Sequence, residues 1–199
     1  MREWWVRAVL VLSAPRAVFV ALRRDDPDDL TARSEPVLAI VFLAGIAFVL
    51  ATPTASHLMD DNDYDGTLVA VWSFLAGGLY GTLAYWLLGA VLFGASSALG
   101  SEGTYRRSRH VLAFAAVPVI LTLAVWPVKL ALYGSDLFHR GGSDSGTGTD
   151  VFDAIFLGAC AWSAALLVIG VRSVHGWAWP KALVAAAVPV AMGAAIALV

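Results

Sequence analysis

The sequence has few charged residues and a single cysteine, and both shortages restrict what the protein can be. Of its 199 residues, 14% are charged and 59% are hydrophobic, whereas soluble domains are about 25% charged and about 45–50% apolar. This composition excludes an ordinary soluble domain, a disordered chain and collagen. Cys160 has no partner for an internal disulfide. The net charge of −2 leaves no basic field of the kind that binds nucleic acid.

The sequence also lacks the short motifs that carry most enzymatic chemistry. It contains no H-E-x-x-H, no P-loop and no G-x-S-x-G. The apolar stretches hold no acidic pair and no buried charge of the kind that pumps use. We therefore expect no enzymatic activity and no cofactor. The histidines are separated in the sequence, at positions His57, His110, His139 and His175.

Long charge-free apolar stretches are what the sequence has in abundance. About 20 apolar residues in a helix cross the roughly 30 Å hydrocarbon core of a bilayer. The pattern predicts an all-α fold, a polytopic membrane helix bundle with five transmembrane helices that make up one membrane domain over residues 36–199. The predicted spans cover about 36–56, 67–99, 110–132, 152–171 and 180–199.

Residues 1–35 are expected to form a short amphipathic segment that lies in the cytoplasmic interface. Arg7 and Arg16 interrupt its apolar run, and Pro15 separates two short helices. Two arginines would oppose membrane insertion by roughly 5–7 kcal/mol, so a sixth span is the less favoured alternative. Aromatic side chains are the expected interfacial anchors; they are Trp4, Trp5 and Phe19.

The distribution of lysine and arginine predicts the orientation. With five spans, eleven of the thirteen cations fall on one side of the membrane, and only Lys129 and Arg140 fall on the other. Loops that are rich in lysine and arginine remain on the cytoplasmic side of the membrane. We therefore expect a multi-pass protein of the cell membrane with a cytoplasmic N-terminus and an extracytoplasmic C-terminus.

Acidic residues between the first two spans are a candidate calcium site that matches only part of the known loop pattern. Asp61, Asp63 and Asp65 follow the first half of a calcium-loop pattern, and Gly66 follows them. Trp72 stands where that loop needs its bidentate glutamate. The alternative is a solvated acidic turn in which Asp65 or Thr67 caps the second span. No other metal site is expected.

Two further features suggest close contacts inside the membrane. Lys129 and Asp153 lie near the ends of the third and fourth spans, where they could pair in an ion path or extend to the surface. Small residues at Gly77, Gly81 and Gly94 follow a stripe that lets helices approach closely. Packing within one chain is favoured over packing between chains.

The order of these features resembles the Yip domain family, whose members are Ypt-interacting, five-span membrane proteins. Four places carry the resemblance. They are an entry motif with Pro15 and Phe19, a link with Gly100, Gly103, Tyr105 and Arg106, an apolar run that closes on Pro118, and a basic turn at Gly176. The resemblance implies five spans and a cytoplasmic N-terminus. Eukaryotic relatives bind Rab-type GTPases and act in vesicle budding, and compact relatives such as this one are of the prokaryotic type.

Two functions follow as hypotheses. The first is a non-enzymatic membrane protein that organises or shapes the bilayer or scaffolds a membrane-protein partner, with the lipid bilayer as its main partner. In this hypothesis Arg106, Arg107 and Arg109 attract lipid headgroups. The alternative is a homo-oligomeric transporter or channel for an ion, a lipid or a small molecule, in which the second span lines a path with Tyr80, Thr82 and Tyr85.

Overall fold

The computed structural model describes residues 2–25, 34–60 and 65–197. Within these ranges the chain forms helices, turns and short 3₁₀ segments, with no strand. This agrees with the predicted all-α class. The α-helices are α1 (Arg2–Ser13), α2 (Pro15–Arg24), α3 (Ser34–Leu50), α4 (Gly66–Ala98), α5 (Tyr105–Ala115), α6 (Val117–Leu121), α7 (Trp126–Tyr133), α8 (Thr147–His175) and α9 (Trp179–Ala197).

Four helical segments in the described part of the chain are long and apolar enough to cross a membrane. They are Gly66–Ala98, Tyr105–Phe138, Thr147–His175 and Trp179–Ile196. In the apolar window of each segment, between 22% and 44% of the residues are buried inside the protein, so more than half are not buried, as in helices that face lipid. A polytopic membrane helix bundle is consistent with this arrangement.

The helix in the first predicted span is shorter than that span. Helix α3 has 17 residues and ends at Leu50, whereas the predicted span runs to about residue 56. The backbone N–H of Thr52 and its hydroxyl both donate to the Val49 carbonyl, at 3.1 and 2.6 Å. Pro53 follows, and a proline has no N–H with which to continue the helical ladder. A 3₁₀ segment, Ala55–Asp60, comes next.

Local sequence signals explain where the other helices begin. The Asp65 carboxylate accepts the backbone N–H of Leu68 at 2.8 Å and caps α4. The Thr104 hydroxyl accepts the N–H of Arg107 at 3.3 Å and caps α5. Pro15 is the first residue of α2, where its missing N–H costs nothing.

Prolines also divide the Tyr105–Phe138 segment into shorter pieces. Pro118 lies in the first turn of α6, and Pro127 lies in the first turn of α7. A 3₁₀ turn, Thr122–Val125, separates these two helices. The segment therefore continues in one general direction while its hydrogen-bond ladder is interrupted twice.

Glycines bring α3 and α4 into backbone contact. A Cβ atom on Gly45 would overlap the Gly77 carbonyl oxygen, and one on Gly81 would overlap the Val41 carbonyl oxygen. Gly77 and Gly81 thus serve contacts within the chain. Gly94 does not share this role, because a Cβ atom there would meet nothing within 4 Å. Gly94 lies at an exposed position of α4, so it makes no close helix contact within the described chain.

The core lies toward one end of the bundle. We call the end that holds the 99–104 link and the turn at Gly176 the motif end, and the opposite end, which holds residues 134–146, the loop end. Most buried apolar side chains lie toward the motif end and join α1, α2, α5, α8 and α9. The loop end has a small separate cluster around Val69, Leu137 and Phe138.

Candidate functional site

The residues on which the family resemblance depends gather mainly at the motif end, which makes this the candidate site. Its centre is Arg109 on α5, which is 8% exposed. The guanidinium carbon of Arg109 lies 3.8 Å from the ring centroid of Trp86 and 4.6 Å from that of Tyr105. The Tyr105 hydroxyl donates to the Trp86 carbonyl at 2.8 Å. Arg109 therefore fills an aromatic clamp between α4 and α5.

Gly89 makes room for this clamp. A Cβ atom at position 89 would overlap Cγ of Arg109. The side chain of Arg109 thus crosses α4 where that helix has no side chain of its own. Tyr85 lies on the same face, with its ring centroid 5.1 Å from the guanidinium carbon.

Asp25 joins three elements at the motif end. Its carboxylate accepts two hydrogen bonds from the Arg7 guanidinium, at 2.6 and 3.4 Å. Its backbone carbonyl accepts a third from Nη2 of Arg107 at 3.2 Å. Both members of the Arg7–Asp25 ion pair are largely buried. The Arg7–Asp25 ion pair connects α1 to the end of α2, and the hydrogen bond from Arg107 connects the end of α2 to α5.

The first hypothesis assigned the basic cluster Arg106, Arg107 and Arg109 to lipid headgroups, but two of these side chains are engaged within the protein. Arg109 is buried in the aromatic clamp, and Arg107 bonds to Asp25. Arg106 is half-buried. The exposed cations of the motif end lie instead near the end of α2, where Arg23 and Arg24 face outward.

The turns of the motif end depend on glycine. Gly100 follows α4 with φ +81°, and Gly176 ends α8 in the left-handed region with φ +67°. At Gly103 a Cβ atom would lie 3.0 Å from Cε1 of His175. The link therefore approaches the α8 turn so closely that a side chain at position 103 would require the His175 imidazole to shift by a few tenths of an ångström.

A serine and a histidine meet at this joint. The Ser101 hydroxyl lies 3.0 Å from Nδ1 of His175 and also accepts the N–H of Gly103 at 2.9 Å. The imidazole ring stacks on Trp177 at 4.5 Å. The two residues are 74 positions apart, and no motif in the sequence indicated that they meet. Because the Ser101 hydroxyl also contacts the link backbone, its contact with His175 connects the link to the end of α8.

Helices α1 and α2 pack into the bundle, which the sequence did not predict. Phe19 is 0% exposed and lies against Gly170, where a Cβ atom would meet its ring at 3.0 Å. Trp4 is 8% exposed. The expected interfacial anchoring by Phe19 and Trp4 is therefore wrong, because both side chains are buried against protein. Trp5 is 57% exposed and keeps a surface position.

A comparison with models of known protein families identifies the family of this chain. The family model of the Yip1 domain matches residues 9–199. The chain belongs to the Yip1 domain family. No curated protein and no solved structure matches it. In this Yip1 domain most of the residues that carry the resemblance lie around the motif end; the exceptions are Pro15, which begins α2 at its deeper end, and Pro118, which is buried where α6 begins.

The remaining candidates lie at the loop end. Asp61 and Asp63 of the weak calcium pattern lie outside the described residues, and Asp65 caps α4. Within the ranges that the structure describes, no group of three or more His, Cys, Asp or Glu residues could hold a metal ion. Lys129 pairs with Asp144, at 3.0 Å, rather than with Asp153. The reason is that the 134–146 loop folds back over α7 and brings Asp144 to the ammonium group.

Proposed function

We propose that this Yip1 domain protein organises or shapes the bilayer without enzymatic activity, and that its N-terminal helices act as a wedge in one leaflet. The observation that carries the proposal is the hairpin formed by α1 and α2, which packs along the motif-end half of the bundle. The proposal includes five membrane crossings, a place in the cell membrane, and a motif end that faces the cytoplasm.

The depth of the hairpin follows from its neighbours along α8. Phe19 lies beside Gly170, and Arg23 lies beside Gly176. Helix α2 therefore runs alongside α8 toward the motif end, and Pro15 lies deeper than Phe19. Ten helical residues extend about 15 Å, which is half of the roughly 30 Å hydrocarbon core. Helix α1 returns from this depth and contacts α6, in the middle of the third segment.

The outer face of the hairpin carries the kinds of side chain that suit a location within one leaflet. Helix α1 exposes apolar side chains, among them Trp5, Val6, Val9 and Leu10. The one charged side chain in its middle, Arg7, is paired with Asp25. Pairing lowers the cost that argued against placing Arg7 in the membrane. Arg23 and Arg24, at the motif end of α2, suit the anionic headgroups of the cytoplasmic leaflet. Arg16, in the first turn of α2, can reach those headgroups only by extending its side chain along the helix.

A fifth crossing by α3 is supported by its length and packing. Seventeen residues extend about 25 Å, at the lower limit for a transmembrane helix. Helix α3 packs along α4 through the glycine contacts at Gly45, Gly77 and Gly81. With this crossing, the cation-rich segments all lie at the motif end, which supports a cytoplasmic motif end.

A transporter or channel is the second candidate, and the residues expected to line its path have other roles. Tyr85 is 3% exposed beneath Arg109. The Thr82 hydroxyl donates to the Gly78 carbonyl at 2.7 Å. Tyr80 stacks against Phe48 with ring centroids 5.8 Å apart. These contacts favour a packing role for that face of α4.

Reconstitution tests the wedge. The full chain is placed in vesicles of phosphatidylethanolamine and phosphatidylglycerol, and vesicle diameter is measured by electron cryomicroscopy at several protein-to-lipid ratios. We expect the diameter to fall as the protein content rises. A variant with Val6→Ser, Val9→Ser and Leu10→Ser should lose this effect. The matched control changes exposed apolar residues of α9, Leu183→Ser and Val184→Ser, and should keep it.

Two outcomes would overturn the proposal. One is a vesicle diameter that does not depend on the wild-type protein. The other is robust ion or lipid flux in the same vesicles that is abolished by a change at Tyr85, which would establish transport instead. Sidedness is measured separately. In a Cys160→Ser background, Glu102→Cys should label only from the cytoplasmic side and Ser143→Cys only from outside.

A further inference from the structure

We propose that a cavity at the loop end binds one zwitterionic phospholipid from the adjoining leaflet. The cavity has a volume of about 360 Å³, within the range of about 300–1,000 Å³ that is typical of small-molecule sites. It lies where α3, α7 and α8 diverge beneath the 134–146 loop. Nothing in the predicted calcium site or in the motif end accounts for it.

The mouth of the cavity carries balanced charge. Nζ of Lys129 lies 3.0 Å from a carboxylate oxygen of Asp144, and the side chains are 15% and 11% exposed. Arg140 and Asp153 also line the cavity. Two cations and two anions favour a headgroup that carries one charge of each sign. A phosphate can approach Lys129, and an ammonium group can approach Asp144 or Asp153.

Aromatic rings fix the position of the lysine. The Lys129 ammonium lies 5.3 Å from the ring centroids of both Trp126 and Phe152. Attraction to two ring faces holds the cation in place even when a ligand phosphate competes with Asp144 for it. The mouth is thus organised before a ligand arrives, which lowers the entropic cost of binding.

The inner part of the cavity is apolar and opens sideways. Its walls come from α3, from the 3₁₀ turn before α7 and from α8; they are Ala47, Leu50, Val125, Ile155 and Phe156. Ile155 is 43% exposed, so this wall reaches the lipid-facing surface of α8. The edge contact between Phe48 and Phe156, 5.4 Å between centroids, joins α3 to α8 near the apolar end of the cavity. A polar mouth above an apolar slot that opens toward lipid fits the headgroup and first carbons of a phospholipid.

Native mass spectrometry of the delipidated full chain in detergent tests the proposal. Phosphatidylethanolamine and phosphatidylglycerol are added in separate titrations. We expect one phosphatidylethanolamine to be retained per chain, with clearly weaker retention of phosphatidylglycerol. Val125→Phe fills the slot and should weaken retention roughly tenfold. Val128→Phe adds the same bulk to an exposed position of α7 outside the cavity and should leave retention unchanged.

A separate variant tests whether lipid binding requires the positive charge of Lys129. Lys129→Met should weaken retention of phosphatidylethanolamine, with thermal unfolding used to confirm that the variant is folded. Equal retention by Val125→Phe and Val128→Phe would overturn the proposal, and so would phosphatidylglycerol binding as tightly as phosphatidylethanolamine. Because these variants lie far from α1 and α2, failure here would leave the wedge proposal unaffected.

Discussion

Arg109 lies over the indole ring of Trp86, with its guanidinium carbon 3.8 Å from the ring centroid. The two residues are 23 positions apart and belong to different helices, so their contact joins α4, three turns before its end, to the start of α5. A basic residue that the charge pattern assigned to the membrane surface is instead a packing element of the core.

We predict that Arg109→Lys destabilises the protein by about 2 kcal/mol, because a flexible ammonium cannot stack as the planar guanidinium does. Thermal unfolding in detergent micelles measures the effect. Arg24→Lys, at an exposed position on α2, is the matched control and should leave the midpoint unchanged. Equal midpoints for Arg109→Lys and the wild type would show that the clamp does not stabilise the bundle.

Gly45→Ala should destabilise the contact between α3 and α4 by at least about 2 kcal/mol, since backbone atoms of α4 occupy the space that the new Cβ atom needs. Gly94→Ala is the control on α4. It meets no neighbour and should stabilise the helix by about 0.5–1 kcal/mol, because alanine favours helices over glycine. Opposite signs are therefore expected, and the same sign for both variants would contradict the glycine contact.

Gly176→Ala should cost about 1–2 kcal/mol, because Gly176 ends α8 with φ +67°, which is unfavourable for a residue with a Cβ atom. Gly158→Ala is the comparison within the same helix, where φ is not positive and no neighbour lies within 4 Å. Chemical unfolding of both variants measures the difference. A Gly176→Ala protein as stable as Gly158→Ala would exclude a role for the left-handed turn.

At the loop end, the backbone N–H of Arg140 donates to the Asp60 carboxylate at 2.9 Å and lowers the pKa of that carboxyl from 3.8. His139, 3.5 Å away, acts in the same direction. Because the pKa of Asp60 is lowered on folding, its ionised carboxylate contributes fully to stability at a pH above 3.8. This contribution is lost as the pH falls through the lower pKa of the folded state. We expect protection of the Arg140 amide from hydrogen exchange to fall only in that acidic range. In Asp60→Asn this step should be absent, and loss of protection well above pH 3.8 would contradict the assignment.

Local signals in the sequence predicted local structure well. Pro15 begins α2 and Asp65 caps α4, because each effect depends on residues within one turn. Four of the five apolar stretches correspond to helical segments that are long enough to cross a membrane in the described part of the chain, whereas Thr52 and Pro53 end α3 earlier than hydropathy alone suggested.

Contacts between distant residues were not predictable in the same way. Phe19 looked like an interfacial anchor, yet it is buried against Gly170, because only the packed bundle shows which face of α2 meets α8. Lys129 was matched to Asp153 by position along the spans, but the 134–146 loop supplies Asp144 instead. Gly45 was overlooked because its partners, Gly77 and Gly81, lie on another helix.

The depth of α1 in the bilayer tests the central claim most directly. A nitroxide spin label is attached at Val9→Cys in a Cys160→Ser background, and the full chain is reconstituted in vesicles. The proposal predicts strong relaxation of the label by oxygen, which concentrates in the hydrocarbon core, and weak relaxation by a water-soluble nickel chelate. A Ser143→Cys label should show the reverse. If the Val9 label were as accessible to the nickel chelate as the Ser143 label, α1 would lie outside the hydrocarbon core and the wedge would be excluded.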